Sequence, residues 1–254
     1  MTAEDCVIID KKNIAKGIYD MWINCPGIAA EAKAGQFVNI KCDGFTLRRP
    51  ISICDINADR TALRIVFEER GEGTKWLAWK NVGESINILG PLGNGFMLGK
   101  PDRSAAFVGG GIGVPPLLYA AKHFGSNAEA FLGFRSAEAV ILNKDFEKAG
   151  VHVTICTDDG TMGRHCLVTE PFIEYLNSNS CSVVFSCGPK PMLKAVSKIC
   201  EERNIPCFVS MEERMACGVG ACLSCACKVK YGGTEKYFHV CKNGPVFNSK
   251  MVVW

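Results

Sequence analysis

Cys217, Cys222 and Cys225 follow the spacing C-x4-C-x2-C, and Cys241 is the last cysteine further along the chain. No other feature limits the fold of this chain as tightly. A loop with that spacing can wrap one face of a small inorganic centre, presenting three thiolates and backbone N–H donors. The fourth thiolate must then come from further along the chain. This is the plant-type spacing for a [2Fe–2S] cluster. Gly218 and Gly220 lie between the first two cysteines. Having no Cβ, they tolerate positive φ and let the backbone come close. Zinc also takes four thiolates, but its usual pattern is two separated knuckles. Inert buried thiols are the third reading. Cys227 falls outside the frame and is expected to pack as core. The tail from Met211 is 44 residues long, too short to build much core, so an inorganic staple suits it.

The chain holds fifteen cysteines, and an odd number excludes a fully paired disulfide scaffold. At 254 residues it can bury a sizeable core without covalent staples. Free cysteine behaves as a small apolar residue. That is the expectation for Cys6, Cys25, Cys42, Cys54, Cys156, Cys166, Cys181, Cys200 and Cys207; Cys187 is treated below. Lys and Arg number 29 against 26 Asp and Glu, which gives no basic surplus for nucleic acid. With 48% hydrophobic and 22% charged residues, the chain reads as globular. Met1 to Asp10 has no basic region followed by an apolar core, so no secretory signal is expected. The uncharged run 105–121 contains four glycines and two prolines, which would leave backbone groups unpaired in lipid. A cytoplasmic protein with no membrane span is expected.

Two rhythms divide the rest. Up to about residue 100, short apolar or alternating runs (6–9, 18–23, 36–40, 51–53, 63–67 and 85–89) sit between turn signals, the pattern of a small barrel. One helix, 74–81, interrupts them, and Pro26-Gly27 reads as a breaker. After Lys100-Pro101, strands at 105–108, 130–134, 151–156, 183–186 and 207–209 alternate with helices at 115–123, 145–149, 171–176 and 191–202. That alternation predicts a doubly wound parallel sheet. The domains expected are 1–100, 101–209 and 210–254.

Glycine loops mark the ends of two of these strands. Gly109, Gly110, Gly111 and Gly113 follow one strand and precede a helix opened by Pro115. Such a turn lets backbone approach a pyrophosphate, with helix N–H groups aimed at it. Cys187-Gly188-Pro189 follows a later strand on the same sheet edge. Asp158 and Asp159 end another and are placed to reach a ribose, unless they simply form a turn. In the barrel, Arg49-Pro50-Ile51-Ser52 begins a strand with a guanidinium suited to phosphate, and Gly73-Thr74 opens a helix. His123, His152, His165 and His239 occur singly, so no acid–base pair for substrate chemistry is evident, and a chain of this kind needs a partner.

Together these motifs resemble the ferredoxin–NADP reductase superfamily. The tail from Glu212 to Cys222, with Val240 to Phe247, resembles the electron transfer subunits of NAD-dependent (class 1B) dihydroorotate dehydrogenase. The resemblance spans the chain and keeps motif order. It implies a multidomain β and α/β fold: a six-stranded antiparallel flavin-binding β-barrel, a doubly wound parallel-sheet NAD domain and a small [2Fe–2S] domain. It implies FAD held by Arg49, Pro50, Ile51, Ser52, Gly73 and Thr74, with backbone help from Val66 and Phe67. Arg49 would bind the pyrophosphate, and Ser52 would lie near the reactive flavin edge. Glu68 departs from the basic residue often found there and is expected to point away. The resemblance also implies NAD at Gly109, Gly110, Gly111, Gly113, Gly188 and Pro189, with Cys187 near the nicotinamide, and a cluster on Cys217, Cys222, Cys225 and Cys241. The implied partner is an FMN-containing catalytic subunit that oxidises dihydroorotate in pyrimidine biosynthesis, in a 2+2 heterotetramer. The competing readings are a related subunit (of a sulfide dehydrogenase, a hydrogenase or a ferredoxin–NADP oxidoreductase), a cluster-binding sensor without turnover, and a zinc-stabilised binding protein.

Overall fold

The computed structural model describes residues 1–254. Its first strands are β1 (Thr2–Ala15), β2 (Ile18–Asn24), β3 (Phe37–Ile40), β4 (Arg49–Ile56), β5 (Ala62–Glu68) and β6 (Ser85–Leu92). They close an antiparallel barrel in the order β1-β2-β5-β4-β3-β6, which leaves no open edge. Side chains alternate across each strand. Val38 and Ile40 therefore join Ile8, Met21, Ile23, Ile53, Leu63, Ile65 and Phe67 inside the barrel. Phe37 faces out and packs with residues of the sheet and the tail. Each fully buried side chain of this size contributes roughly 1.5–3 kcal/mol.

Two helices serve the barrel, α1 (Pro26–Glu31) and α2 (Glu72–Trp79). Pro26, read from sequence as a breaker, sits in the first turn of α1, where its missing N–H costs nothing. The helix expected at 74–81 begins two residues earlier, placing Gly73 and Thr74 in its first turn. β1 is also longer than the run 6–9 suggests, because its flanking residues are charged and mostly face water.

The second unit holds β7 (Ala105–Gly110), α3 (Pro115–Phe124), β8 (Ala128–Phe134), α4 (Asn143–Lys148), β9 (His152–Thr157), α5 (Thr169–Ser178), β10 (Val183–Cys187), α6 (Lys190–Glu202) and β11 (Cys207–Ser210). The order β11-β10-β7-β8-β9 is parallel throughout. The chain leaves β7 in one direction and returns on its other side at β10, so the switch point lies at the carboxyl ends of β7 and β10, where open sheets bind ligands. The uncharged run 105–121 is β7 with α3, and no helix is long and apolar enough to cross a membrane.

The tail carries a hairpin, β12 (Ala226–Tyr231) and β13 (Thr234–His239), then α7 (Val240–Asn243) and β14 (Val246–Asn248). β14 pairs antiparallel with β11, a sixth strand that its three residues did not reveal as a pattern. Cys225 and Cys241 are buried with Phe37 and Leu92 of the barrel and Val108 and Val209 of the sheet. Tail, barrel and sheet thus share one core.

Ion pairs fix the barrel against the sheet domain. Arg64 on β5 holds Asp20 on β2 at 2.6 Å and Asp145 on α4 at 2.7 Å. Lys122 on α3 holds Asp55 on β4 at 2.8 Å. Arg64 and Asp20 are nearly dry, and removing one partner of such a pair costs about 3–5 kcal/mol by stranding the other charge.

Candidate functional site

The loop after β11 turns on residues with positive φ: Gly218 (73°), Gly220 (81°) and Leu223 (62°). It is pressed against its neighbours. A Cβ on Gly218 would lie 2.5 Å from Asn39 Nδ2, and one on Gly220 would lie 2.7 Å from Lys242 Cδ. The turn aims amides at sulfur. Val219, Ala221 and Cys222 donate N–H to Cys217 Sγ at 3.4, 3.3 and 3.4 Å, and Cys217 N–H reaches Cys222 Sγ at 3.4 Å. Gly220 N–H donates to Cys241 Sγ at 3.1 Å, and Cys241 N–H to Cys225 Sγ at 3.4 Å. α7 presents Cys241, anchored by Val240 N–H to the Cys225 carbonyl at 2.9 Å.

These contacts set the thiol chemistry. Desolvation pushes the Cys217 thiol up, but the Val219, Cys222 and Ala221 amides outweigh it and bring the pKa down to about 6. Cys241 goes the other way, to about 12, because of burial and its contact with Cys225. The thiols are linked in pairs, Cys217 with Cys222 and Cys225 with Cys241. Two pairs of thiols ringed by N–H donors fit a binuclear centre with two thiolates on each iron. Cys222 is exposed, while Cys225 and Cys241 are buried. Cys227 shares no hydrogen bond with the four thiols; it sits on β12 opposite Phe238, buried in the core.

A cleft of about 480 Å³ opens at the N-terminus of α2, lined by Arg49, Arg70, Gly73, Thr74 and Arg214 among others. Its backbone is shaped by Thr74, whose Oγ1 accepts the N–H of Arg70 at 2.9 Å. A Cβ on Gly73 would collide with the Arg49 guanidinium, so glycine leaves that side chain its place. Arg49 lies over the Phe45 ring. Arg48 turns away to Asn39 O and Asn87 Oδ1 and serves the barrel. Glu68 does not face the cleft unpaired: its carboxylate holds Arg70 Nε at 2.5 Å. Pro50 lies opposite Asn39 and Ser52 opposite Phe37 in the β3–β4 register. Asn39 Nδ2 donates to Cys217 O at 3.4 Å. The segment 49–52 is therefore one strand from the thiol loop. Val66 faces the sheet domain. Phe67 is inside the barrel, stacked on Tyr19, which leaves only its backbone for a cofactor. Sequence reading missed Arg70 and Arg214; an isolated arginine near two glutamates carries no positional signal.

At the switch point the two glycine motifs meet. Gly109 is in register with Cys187. A Cβ on Gly113 would lie 2.5 Å from the Cys187 carbonyl oxygen, and one on Gly110 2.9 Å from Pro189 Cδ. Gly111 and Gly188 also have positive φ. Burial pushes the Cys187 thiol up to about 12, with a hydrogen bond from Ser210 opposing, so it is neutral near pH 7. Asp158 and Asp159 lie after β9, two strands from β7. The Asp159 carboxylate accepts from Thr161 N and Oγ1 at 3.0 and 2.6 Å, which holds it below the usual range.

The comparisons agree with this geometry. Residues 212–253 match the iron–sulfur cluster binding domain of dihydroorotate dehydrogenase B. The electron transfer subunit of dihydroorotate dehydrogenase B (NAD(+)) from Geobacillus sp. (strain WCH70) is 39% identical, covering 100% of this chain and 99% of its own. The same subunit from Bacillus pumilus is 41% identical over 96% of each. Among solved structures, an NADH-dependent reduced ferredoxin–NADP oxidoreductase superposes with a TM-score of 0.87 at 28% identity, covering 98% of this chain and 90% of that one. A reductase, a barrel–sheet fold and a cluster tail thus coincide along one full-length match, and the chain belongs to the family of electron transfer subunits of NAD(+)-dependent dihydroorotate dehydrogenase B.

Proposed function

We propose that this chain carries electrons from an FMN-containing dihydroorotate-oxidising subunit, by way of a [2Fe–2S] cluster and FAD, to NAD+. The observation that carries the reading is the amide-lined loop of paired thiols, held by Asn39 one strand from the segment 49–52. FAD exchanges hydride with nicotinamide and single electrons with an iron–sulfur centre, which is why it belongs between them.

Cys217 and Cys222 would ligate one iron, Cys225 and Cys241 the other. The loop amides donate to the ligand sulfurs and favour the more negative, reduced state. Arg49 and the first turn of α2 would bind the FAD pyrophosphate, while Pro50, Ile51 and Ser52 would line the flavin and Val66 and Phe67 would offer backbone. Gly109, Gly110, Gly111, Gly113, Gly188 and Pro189 would admit the nicotinamide nucleotide at the switch point, with neutral Cys187 beside the nicotinamide. Asp158 takes the ribose; Asp159 shapes the turn. The domains are 1–100, 101–209 and 210–254, the assembly is a 2+2 heterotetramer, and the compartment is the cytoplasm.

Co-purification from the native cell tests this. The expected complex contains FMN, FAD and iron, and forms NADH when given dihydroorotate. The likeness to the ferredoxin–NADP oxidoreductase favours a second reading, a flavin and iron–sulfur subunit of that type. A native partner without dihydroorotate-oxidising activity would replace the first reading with the second.

A further inference from the structure

Three guanidinium groups from distant parts of the sequence meet in the cleft at α2: Arg49 on β4, Arg70 before the helix, and Arg214 in the segment that leads into the thiol loop. Arg70 is committed to Glu68, and Glu72, the acid of the cleft, has Lys75 at 4.0 Å. Arg49 and Arg214 make no ion pair. The two unpaired positive charges match the two negative charges of a dinucleotide pyrophosphate. Arginine is suited to this task because its fork donates two parallel hydrogen bonds to phosphate oxygens.

Arg214 differs from Arg49 in what else it is tied to. Two residues separate it from Cys217, the first thiol of the loop. Its carbonyl accepts a hydrogen bond from Ser224 Oγ at 3.3 Å, and Ser224 precedes Cys225. A ligand that fixes Arg214 therefore fixes one end of the thiol loop directly and the other through Ser224.

We propose that Arg214 is a pyrophosphate-binding residue that couples FAD occupancy to the integrity of the cluster loop. The inference rests on the reading of this cleft as the FAD phosphate site. The coupling is reciprocal, as linkage requires: the factor by which a loaded loop tightens FAD equals the factor by which FAD tightens retention of the cluster.

The experiment uses the full chain with its cluster. FAD is removed and titrated back, with binding followed by flavin fluorescence, for the wild type, Arg49→Ala, Arg214→Ala and Arg214→Lys. Iron release to a chelator is timed with and without FAD. Loss of one charge-assisted, forked contact is expected to weaken FAD about tenfold in Arg214→Ala. Arg214→Lys should fall between that variant and the wild type. Binding of riboflavin, which has no phosphate, should be unchanged in both. FAD should slow iron release in the wild type and not in Arg214→Ala. If Arg49→Ala loses affinity but Arg214→Ala binds FAD as the wild type does, the inference is overturned and the phosphate site stands. If neither variant weakens FAD, the assignment of the cleft itself fails. Equal FAD protection of iron in the wild type and Arg214→Ala overturns the coupling. Equal loss of riboflavin and FAD affinity would mark Arg214 as structural only, which also overturns it.

Discussion

Cys217 and Cys187 each sit beside a glycine in a turn, and their thiols behave in opposite ways. At Cys217 three amides point at the sulfur, and the thiol comes down to about 6. At Cys187 burial dominates, and the thiol rises to about 12. The same residue type is made acidic in one loop and kept neutral in the other. The direction of the local N–H groups decides between them, and spacing in sequence only says where such a loop can form.

Deleting ligands tests this contrast most severely. Cys217→Ala, Cys222→Ala, Cys225→Ala and Cys241→Ala should each lose the cluster, read as iron content and visible absorption, whereas Cys227→Ala keeps it. Iron lost from Cys227→Ala and retained in Cys241→Ala would reverse the ligand assignment. The next largest effect belongs to the phosphate side: Arg49→Ala should lower FAD affinity by about tenfold or more, and unchanged flavin content after purification would remove that role. At the switch point, Gly113→Ala places a Cβ 2.5 Å from the Cys187 carbonyl. Because backbone must shift, a stability loss of about 1–3 kcal/mol is expected by thermal unfolding, with weaker NADH binding. Normal melting and normal NADH affinity would show that the two motifs are not in contact.

The smallest effect follows from the Cys187 thiol. Its pKa rises from an ordinary 9.0 to about 12 on folding, so the unfolded chain releases its proton first as pH increases. The stability linked to this group is complete below pH 9 and is lost as pH climbs toward 12. Cys187→Ala should therefore flatten one thiol's share of the fall in melting temperature across that interval. An identical slope in the variant would mean that Cys187 titrates as an exposed thiol.

The features legible in the sequence were those with local spacing. The C-x4-C-x2-C frame, the glycines after β7 and the Arg49-Pro50-Ile51-Ser52 strand start each lie within a dozen residues. The alternation of strand and helix likewise gave the sheet domain. The features that escaped depend on distant pairing. Arg70 and Arg214 reach one cleft from either side of the sheet domain. Asn39 looks like one polar residue in a strand, yet it is fully buried against the thiol loop. Pro26 reads as a stop because proline ends helices more visibly than it begins them. Glu68 is an acid beside a phosphate site in sequence, and only its ion pair with Arg70 in the fold accounts for it.

β14 gives the tail a second duty. Without it, β11 would be the outer strand of a parallel sheet, with a row of unpaired backbone groups open to any other extended chain. The strand that covers this row comes after Cys241, the last cysteine in sequence. Since synthesis runs from the N-terminus, the nascent sheet stays sticky on that side until the whole cysteine segment has emerged. A truncation that discards the cluster segment therefore also uncovers an aggregation-prone edge, so the reductase half cannot be cut free of the tail without a replacement guard.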